Sequence, residues 1–176
     1  MKFLLVMCWS LVMVCASFGG KLPEVYKPYE KLLGTWEGDN QAEVKIDGKK
    51  WTVQSRHKET YRYDEKLGLI MGEQVEIITV DGKEETSKSR CLIGWDETSQ
   101  TFRIMTWRGG DMAALAIVSY EDGVFTSRTV GLSEGDKNET RFYLDENGVM
   151  CIKGVVNVTG DKNFEATWDF KLKRVK

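Results

Sequence analysis

The chain has little of what builds metal centres or nucleic-acid-binding surfaces. It contains one histidine among 176 residues, and 25 basic residues are balanced by 27 acidic ones, for a net charge of −2. Charges of both signs are interleaved without a basic block, so we expect no nucleic-acid partner. A second histidine or a pair of cysteines at ligand spacing is also missing, which argues against a structural zinc site. We therefore expect no metal and no cofactor.

Cysteine is scarce too, with four residues in the whole chain. Cys8 and Cys15 lie in the apolar N-terminal segment, which leaves Cys91 and Cys151 for the rest of the protein. In an exported protein, such a pair can form a disulfide. Both residues lie inside apolar stretches, so two buried free thiols are the alternative. The sequence leaves the choice open because it does not bring the two Cα atoms within bridging distance.

Beyond the N-terminus, the chain has no apolar run of the roughly 20 residues needed to cross a bilayer. At the N-terminus, Lys2 supplies a positive charge, residues 3–14 are apolar except for Ser10, and small residues follow. This arrangement is typical of a secretory signal peptide. We predict a signal peptide over residues 1–20 and a secreted domain over residues 21–176, extracellular or periplasmic, without a membrane span.

Helical character is confined to residues 23–33, where Pro28 favours a short helix or a turn. From Gly34 onward, the chain is rich in the β-branched and aromatic residues typical of strands. Pairs that accept the positive φ angles of tight hairpins interrupt it at Asp47-Gly48, Asp81-Gly82, Gly109-Gly110, Asp122-Gly123 and Asn147-Gly148. The predicted strands lie at approximately 34–46, 50–64, 67–79, 87–95, 100–108, 112–120, 124–131, 139–145, 149–158 and 163–174.

The pattern of these strands predicts an all-β fold. In the last of them, Phe164, Trp168 and Phe170 alternate with charged and polar residues, which indicates one buried and one solvated face. About ten antiparallel strands joined by hairpins, with no crossover helix, form an up-and-down meander. Closure into a barrel removes the unpaired edges of such a meander, so we predict a barrel with a short N-terminal helix. A two-sheet sandwich is the alternative.

Residues 33–38, Leu-Gly-Thr-Trp-Glu-Gly, carry a family resemblance. They place a Gly-x-Trp motif at the start of the first predicted strand, directly after the helical segment. This resembles the calycin superfamily, which includes lipocalins and fatty-acid-binding proteins. The resemblance implies a lipocalin-like barrel in which Trp36 closes one end and a basic residue of the last strand packs across it. Arg174 has the required position in that strand. Guanidinium stacks well on an indole face, which agrees with this pairing.

The middle of the chain adds to the resemblance. Residues 92–96, Leu-Ile-Gly-Trp-Asp, are followed by a turn and by Thr-Phe-Arg-Ile at 101–104. These segments look like those of secreted lipocalin-like proteins known only as domains of unknown function, many of them exported by bacteria. The resemblance covers nearly the whole predicted domain. It implies a barrel interior that can hold a ligand.

Six residues are candidates for contacting such a ligand. Small side chains near Ala114 and Ala116 predict interior space, and an arginine can hold the carboxylate of a fatty-acid-like molecule. The leading hypothesis is therefore a secreted binding or carrier protein for a small hydrophobic or amphipathic ligand. The candidate ligand-binding residues are Trp51, Ser55, His57, Tyr61, Arg103 and Trp107.

Other functions are open at this point. Ser55, His57 and Glu59 share one strand face and have the residue types of a hydrolase triad, but neighbours along a strand point in parallel and do not converge. A calycin-type enzyme acting on a lipid or small carbonyl compound would instead use His57, Glu59 and Tyr61 as acid, base or polarising groups. Nitrobindin-type barrels bind haem through one histidine, but their glycine-rich continuation is absent here. The last alternative is a filled barrel that serves as an envelope or surface interaction module.

Two sequons, at Asn138 and Asn157, predict possible N-glycosylation if the source is eukaryotic. In a bacterial source they carry no meaning. The sequence does not predict an oligomeric state.

Overall fold

The computed structural model describes residues 21–80, 83–159 and 163–175, without the side chains of Val80 and Ala113. The predicted signal peptide and the predicted Asp81-Gly82 turn lie outside the described residues. The elements are a 3₁₀ helix (Glu24–Leu32), β1 (Gly34–Ile46), β2 (Lys49–Asp64), β3 (Leu69–Val80), β4 (Lys83–Asp96), β5 (Thr101–Arg108), β6 (Asp111–Glu121), β7 (Val124–Thr129), β8 (Lys137–Leu144), β9 (Met150–Val158) and β10 (Phe164–Arg174).

The ten strands form one closed antiparallel barrel in which each strand pairs with its neighbour in sequence. β1 and β10 close it, with Trp36 opposite Arg174 at one end of the seam and Ile46 opposite Phe164 at the other. Midway along this seam, the side chain of Asn40 replaces a backbone partner, since its Oδ1 accepts a hydrogen bond from the Lys171 backbone N–H at 3.1 Å. The predicted barrel is confirmed, and the sandwich alternative is excluded.

Three of the predicted turn pairs, Asp47-Gly48, Gly109-Gly110 and Asp122-Gly123, have positive φ at both residues, whereas at Asn147-Gly148 only the glycine does. Asp47 and Asp122 adopt left-handed φ angles of 47° and 48°, and the glycine that follows each has φ of 82° or 83°. Two consecutive left-handed residues define the type I′ turn, whose twist matches that of the flanking strands. Local turn residues therefore set the register of the β1–β2 and β6–β7 hairpins.

The 3₁₀ helix closes one end of the barrel. Tyr26, Tyr29 and Leu32 are its buried residues. The ring of Tyr29 packs edge-on against Phe102 at 4.9 Å and lies 4.3 Å from Phe125. Burying large aromatic side chains is among the stronger apolar contributions to stability. The helix end of the barrel is thus filled by an aromatic layer.

Trp36 and Arg174 join this helix to the barrel seam. The buried indole donates from Nε1 to the Leu32 carbonyl at 2.8 Å, and the Arg174 guanidinium lies 4.4 Å from the ring centroid. Nη1 and Nη2 of Arg174 each donate at 2.6 Å, to the carbonyls of Leu33 and Lys31 respectively. This is the arrangement that the family resemblance implies for the two residues.

The outer surface of the barrel carries an apolar row. Met71, Leu92, Met105 and Leu115 lie opposite one another on β3 to β6. Apolar side chains on these strands therefore do not all face the core, and their alternating neighbours face the interior. In the part of the chain that the structure describes, no helix is long and apolar enough to span a membrane.

Candidate functional site

The barrel interior contains a cavity of about 300 Å³. Apolar side chains line it towards the helix, where the aromatic layer begins, and polar ones line it further down the strands. On β4 and β5, for example, Ile93 faces Ile104, and the next inward pair is Cys91 and Thr106. The apolar lining is formed by Tyr29, Leu32, Ile93, Ile104, Phe142, Met150, Ile152 and Trp168, and the polar lining by Glu59, Tyr61, Gln74, Ser89, Cys91, Thr106, Ser127 and Thr140.

Glu59 is the buried acid of the cavity wall. It lies on the inward face of β2 and is only 5% exposed. Its Oε2 accepts a hydrogen bond from the Tyr61 hydroxyl at 2.8 Å, and its Oε1 accepts one from Gln74 Nε2 at 3.4 Å. Among residues 21–80, 83–159 and 163–175, it forms no salt bridge.

The electrostatics of Glu59 follow from this burial. Desolvation raises the pKa of its carboxyl, and nearby Glu76 raises it further, whereas the Tyr61 hydrogen bond and His57 lower it. Burial disfavours the charged form of an acid unless a cation or enough donors compensate. The cavity wall therefore holds a carboxyl group with higher proton affinity than usual.

His57 lies next to Glu59 and is linked to it through Gln74. It also contacts a second acid, Glu76. Its imidazole is 2% exposed and packs against the Phe170 ring at 4.5 Å. Gln74 Nε2 lies 3.1 Å from Nδ1, and Glu76 Oε1 lies 2.8 Å from Nε2. Because Gln74 donates to Nδ1, the imidazole proton resides on Nε2 and is donated to Glu76. The hydrogen bond from His57 is the main cause that lowers the pKa of Glu76.

Gln74 holds the network together. Its Nε2 donates to both His57 and Glu59, and its Oε1 accepts from the Ser89 hydroxyl at 2.9 Å. All four side chains point into the barrel from β2, β3 and β4. A network in which every member has a partner fixes side-chain positions in the interior.

Tyr29 reaches the cavity from the helix side. Its side chain is 2% exposed, and its hydroxyl has no hydrogen-bond partner in the part of the protein that the structure describes. Burial raises the pKa of this phenol well above its usual value. Buried polar atoms are nearly always paired, so a hydroxyl without a partner at a cavity wall calls for an explanation.

Two glycines shape the cavity wall. A Cβ at Gly72 would overlap Cys91 Sγ, and one at Gly154 would overlap the indole of Trp168. Each glycine lets a large or polarisable side chain lie flat against a neighbouring strand. The width of the cavity therefore depends on these two positions.

The two cysteines of the barrel are free thiols. Cys91 on β4 lines the cavity, and burial raises the pKa of its thiol to about 12. Cys151 on β9 alternates with Met150 and Ile152, which belong to the core, so it faces the other side of its strand. β4 and β9 lie on opposite sides of the ten-strand order. Of the two alternatives that the sequence left open, the structure therefore shows two free thiols and no disulfide, because strand order and side-chain direction keep Cys91 and Cys151 apart.

Three of the six candidate ligand-binding residues face the barrel interior below the aromatic layer. Tyr61 lines the cavity, whereas His57 and Ser55 are buried one and two inward positions beyond Glu59, respectively. Trp51 lies on the same strand but near its start, at the end of the barrel away from the helix, and is 53% exposed. The structure therefore does not bring Trp51 to the cavity.

Arg103 and Trp107 lie on the outer face of β5. They alternate with the inward residues Phe102, Ile104 and Thr106, so their side chains point away from the cavity. Arg103 forms a salt bridge with Asp96 at 2.9 Å. The sequence of this strand has no clearly polar face, and pairing with β4 decides the direction of its side chains.

The candidate hydrolase triad is not assembled. Both ring nitrogens of His57 are engaged by Glu76 and Gln74, and Ser55 forms its hydrogen bond with Glu76. A serine nucleophile needs its base within hydrogen-bond distance. In the described residues, no group of three histidine, cysteine or acidic side chains has the geometry to hold a metal ion.

Several site residues were missed by the sequence analysis: Gln74, Glu76, Ser89, Thr106, Ser127, Thr140 and Trp168. On β3, Gln74 and Glu76 face inward while Met71 and Val75 face outward, the reverse of the usual expectation. Even spacing of polar residues within that strand is the only signal in the sequence. The two sequons are placed differently, with Asn157 exposed on β9 and Asn138 half-buried on β8.

A scan against protein-family models and a search of curated proteins found no match for this chain.

Proposed function

We propose that this protein is a secreted binding or carrier protein that holds one small amphipathic molecule inside its barrel. The observation that carries the proposal is the cavity of about 300 Å³, lined by apolar side chains at one end and polar ones at the other. Ligand-binding sites are typically concave, mostly apolar and supplied with a few placed polar groups. The volume lies at the lower end of the range for such sites.

The lining suggests the size and orientation of the ligand. At roughly 30 Å³ per water-sized atom, the cavity holds about ten non-hydrogen atoms. The apolar part of the ligand would lie against Ile93, Ile104 and Phe142, below the helix. Its polar part would lie among Glu59, Tyr61 and the hydroxyl groups further down the strands.

The fold supports a lipocalin-like relationship as part of the same proposal. A closed up-and-down barrel with a short helix at the Trp36 end, and Arg174 over that tryptophan, is what the calycin resemblance implies. Fold alone does not fix function, so the proposal depends on the cavity. The cavity of about 300 Å³ also favours ligand binding over a filled-barrel interaction module.

Titration of tryptophan fluorescence with small apolar and amphipathic probes tests this proposal, because Trp168 lines the cavity. Ser127 also lines it, so Ser127→Phe should fill the space and abolish the response. The matched control is Ser119→Phe, on the exposed face of the neighbouring strand, which should respond like the wild type. A flat response of the folded wild-type protein across a broad panel, with no co-purified molecule in native mass spectrometry, would overturn the proposal.

A further inference from the structure

We infer that the barrel selects ligands with a protonated amine, and that the carboxylate of Glu59 holds this head group inside the cavity. The inference rests on the proposed binding function and assigns the chemical class of its ligand. It differs from the fatty-acid-like ligand expected from the sequence, whose carboxylate would require an interior arginine.

The first argument is the unused acceptor capacity of Glu59. An ionised carboxylate offers about four acceptor positions, and Glu59 receives two hydrogen bonds, from Tyr61 and Gln74. Both of its partners are uncharged. An ammonium group carries a full positive charge and three donors, which suits a buried carboxylate that has no cation beside it.

The second argument is the sign of the charges inside the barrel. The titratable groups facing Glu59 are His57 and Tyr61 on its own strand, Glu76 on β3 and Cys91 on β4. Arg90 is the one basic residue of the described cavity wall, and its exposed side chain pairs with Glu73 on the outer face. Arg108 lies opposite the inward Ser89 and lowers the pKa of Glu76, but its side chain is exposed and is not part of the cavity lining. Within the cavity itself, a ligand carboxylate would meet acids without a facing cation, whereas an ammonium group would be attracted.

The third argument is the unpaired Tyr29 hydroxyl. It lines the same cavity as Glu59, and its oxygen can accept a hydrogen bond from a donor on the ligand. The rings of Tyr61, Phe142 and Trp168 also line this space. Aromatic faces attract desolvated cations, which adds to the preference for an amine.

Binding should depend on pH in a defined direction. Burial raises the pKa of Glu59, so acidification neutralises this carboxyl at a higher pH than that of an exposed glutamate. Amine affinity should therefore fall as the pH decreases through this range, because the positive head group loses its counter-charge. An alkylamine remains protonated throughout, so the change reports on the protein.

The experiment compares three probes of equal chain length, octylamine, octan-1-ol and octanoate, by isothermal titration calorimetry at neutral pH. We expect octylamine to bind most tightly and octanoate most weakly. Glu59→Gln should weaken octylamine binding roughly tenfold to hundredfold, since hydrogen bonds to charged groups are worth that much. It should leave octanol binding nearly unchanged. Glu43→Gln, on the exposed face of β1 and outside the cavity lining, is the matched control and should behave like the wild type.

The outcomes separate the two proposals. If none of the three probes binds the folded wild-type protein, the proposed function is overturned and this inference with it. If octanol or octanoate binds as tightly as octylamine, or if Glu59→Gln leaves amine affinity unchanged, the cavity binds ligands but the amine selectivity is refuted. Should Glu59→Gln fail to fold, the order of the three affinities in the wild type decides alone.

Discussion

Replacing Arg174 with alanine should destabilise the protein by disconnecting the last strand from the helix. The guanidinium donates two hydrogen bonds of 2.6 Å to carbonyls at the end of the helix and covers the Trp36 indole at 4.4 Å. Each hydrogen bond contributes about 1 kcal/mol, and a cation–π contact at an exposed site contributes about 0.5 to 1 kcal/mol. We therefore expect the free energy of unfolding to fall by about 2 to 3 kcal/mol.

Lysine at the same position should recover only part of this loss. Arg174→Lys keeps the charge, but a compact ammonium group neither stacks on an indole nor reaches two carbonyls in a fixed fork. Its free energy of unfolding should lie between those of the wild type and Arg174→Ala. This order distinguishes geometric closure of the barrel from a simple effect of net charge.

Urea denaturation followed by tryptophan fluorescence measures these differences. The control is Lys173→Ala, an exposed neighbour on the same strand, which should change stability by no more than about 0.5 kcal/mol, as surface substitutions usually do. If Arg174→Ala is indistinguishable from this control, the closing role of Arg174 is refuted. If the lysine variant is as stable as the wild type, the positive charge at position 174 is what stabilises the protein, and the geometry of the guanidinium is not.

Three further changes have expected outcomes. The stability of Glu59→Gln relative to the wild type should increase as the pH rises from about 4.5 towards neutral. The increase should be about 1.4 kcal/mol for each pKa unit by which burial raises the pKa of Glu59 in the folded wild type. Gly154→Ala should lower the free energy of unfolding in urea by about 1 to 3 kcal/mol, because the new methyl group overlaps the Trp168 ring. Cys91 and Cys151 should resist a thiol reagent in the native protein and react in guanidinium without prior reduction.

Each of these predictions has a result that contradicts it. The Glu59 prediction follows from the raised pKa of this carboxyl in the folded wild type. In this pH range the unfolded chain has already released the proton that folded Glu59 still holds, so the stability of the wild type declines as the pH rises. Parallel stability curves of the two proteins across this pH range would contradict it. A fully stable Gly154→Ala variant would mean that the indole moves freely, and thiols that appear only after reduction would reveal a disulfide.

The strands and turns were predictable because their causes are local. Asp-Gly and Gly-Gly pairs specify hairpins through the backbone angles of two residues, and alternation within one strand indicates a half-buried sheet. The predicted first strand, residues 34–46, agrees with β1 in both bounds. The closure of one barrel end by the 3₁₀ helix and its aromatic layer was less predictable, since a short segment with a proline shows only weak periodicity. Its role becomes clear when Tyr29 meets Phe102 and Phe125, which lie far away in the sequence.

The interior site was only partly predictable. The inward direction of Tyr61 and His57 was predictable because they share one side of a strand whose other side is mostly charged. Arg103 was misplaced, since its strand alternates without a clear polar face. On β3, the inward Gln74 and Glu76 lie on either side of the outward Val75, so hydrophobicity alone points the wrong way there. Only pairing with the neighbouring strands shows which side of β3 faces the cavity.

By itself, the sequence determined that this chain forms ten antiparallel strands in a meander, with Trp36 on the first strand and Arg174 on the last. These features depend on residues that are adjacent in sequence or on adjacent strands. The tertiary structure alone decided which face of each strand lines the interior, that the thiols stay apart, and that Glu59 is buried without a cation. These properties arise only when the barrel closes, because closure and strand pairing together fix which side of each strand faces the interior.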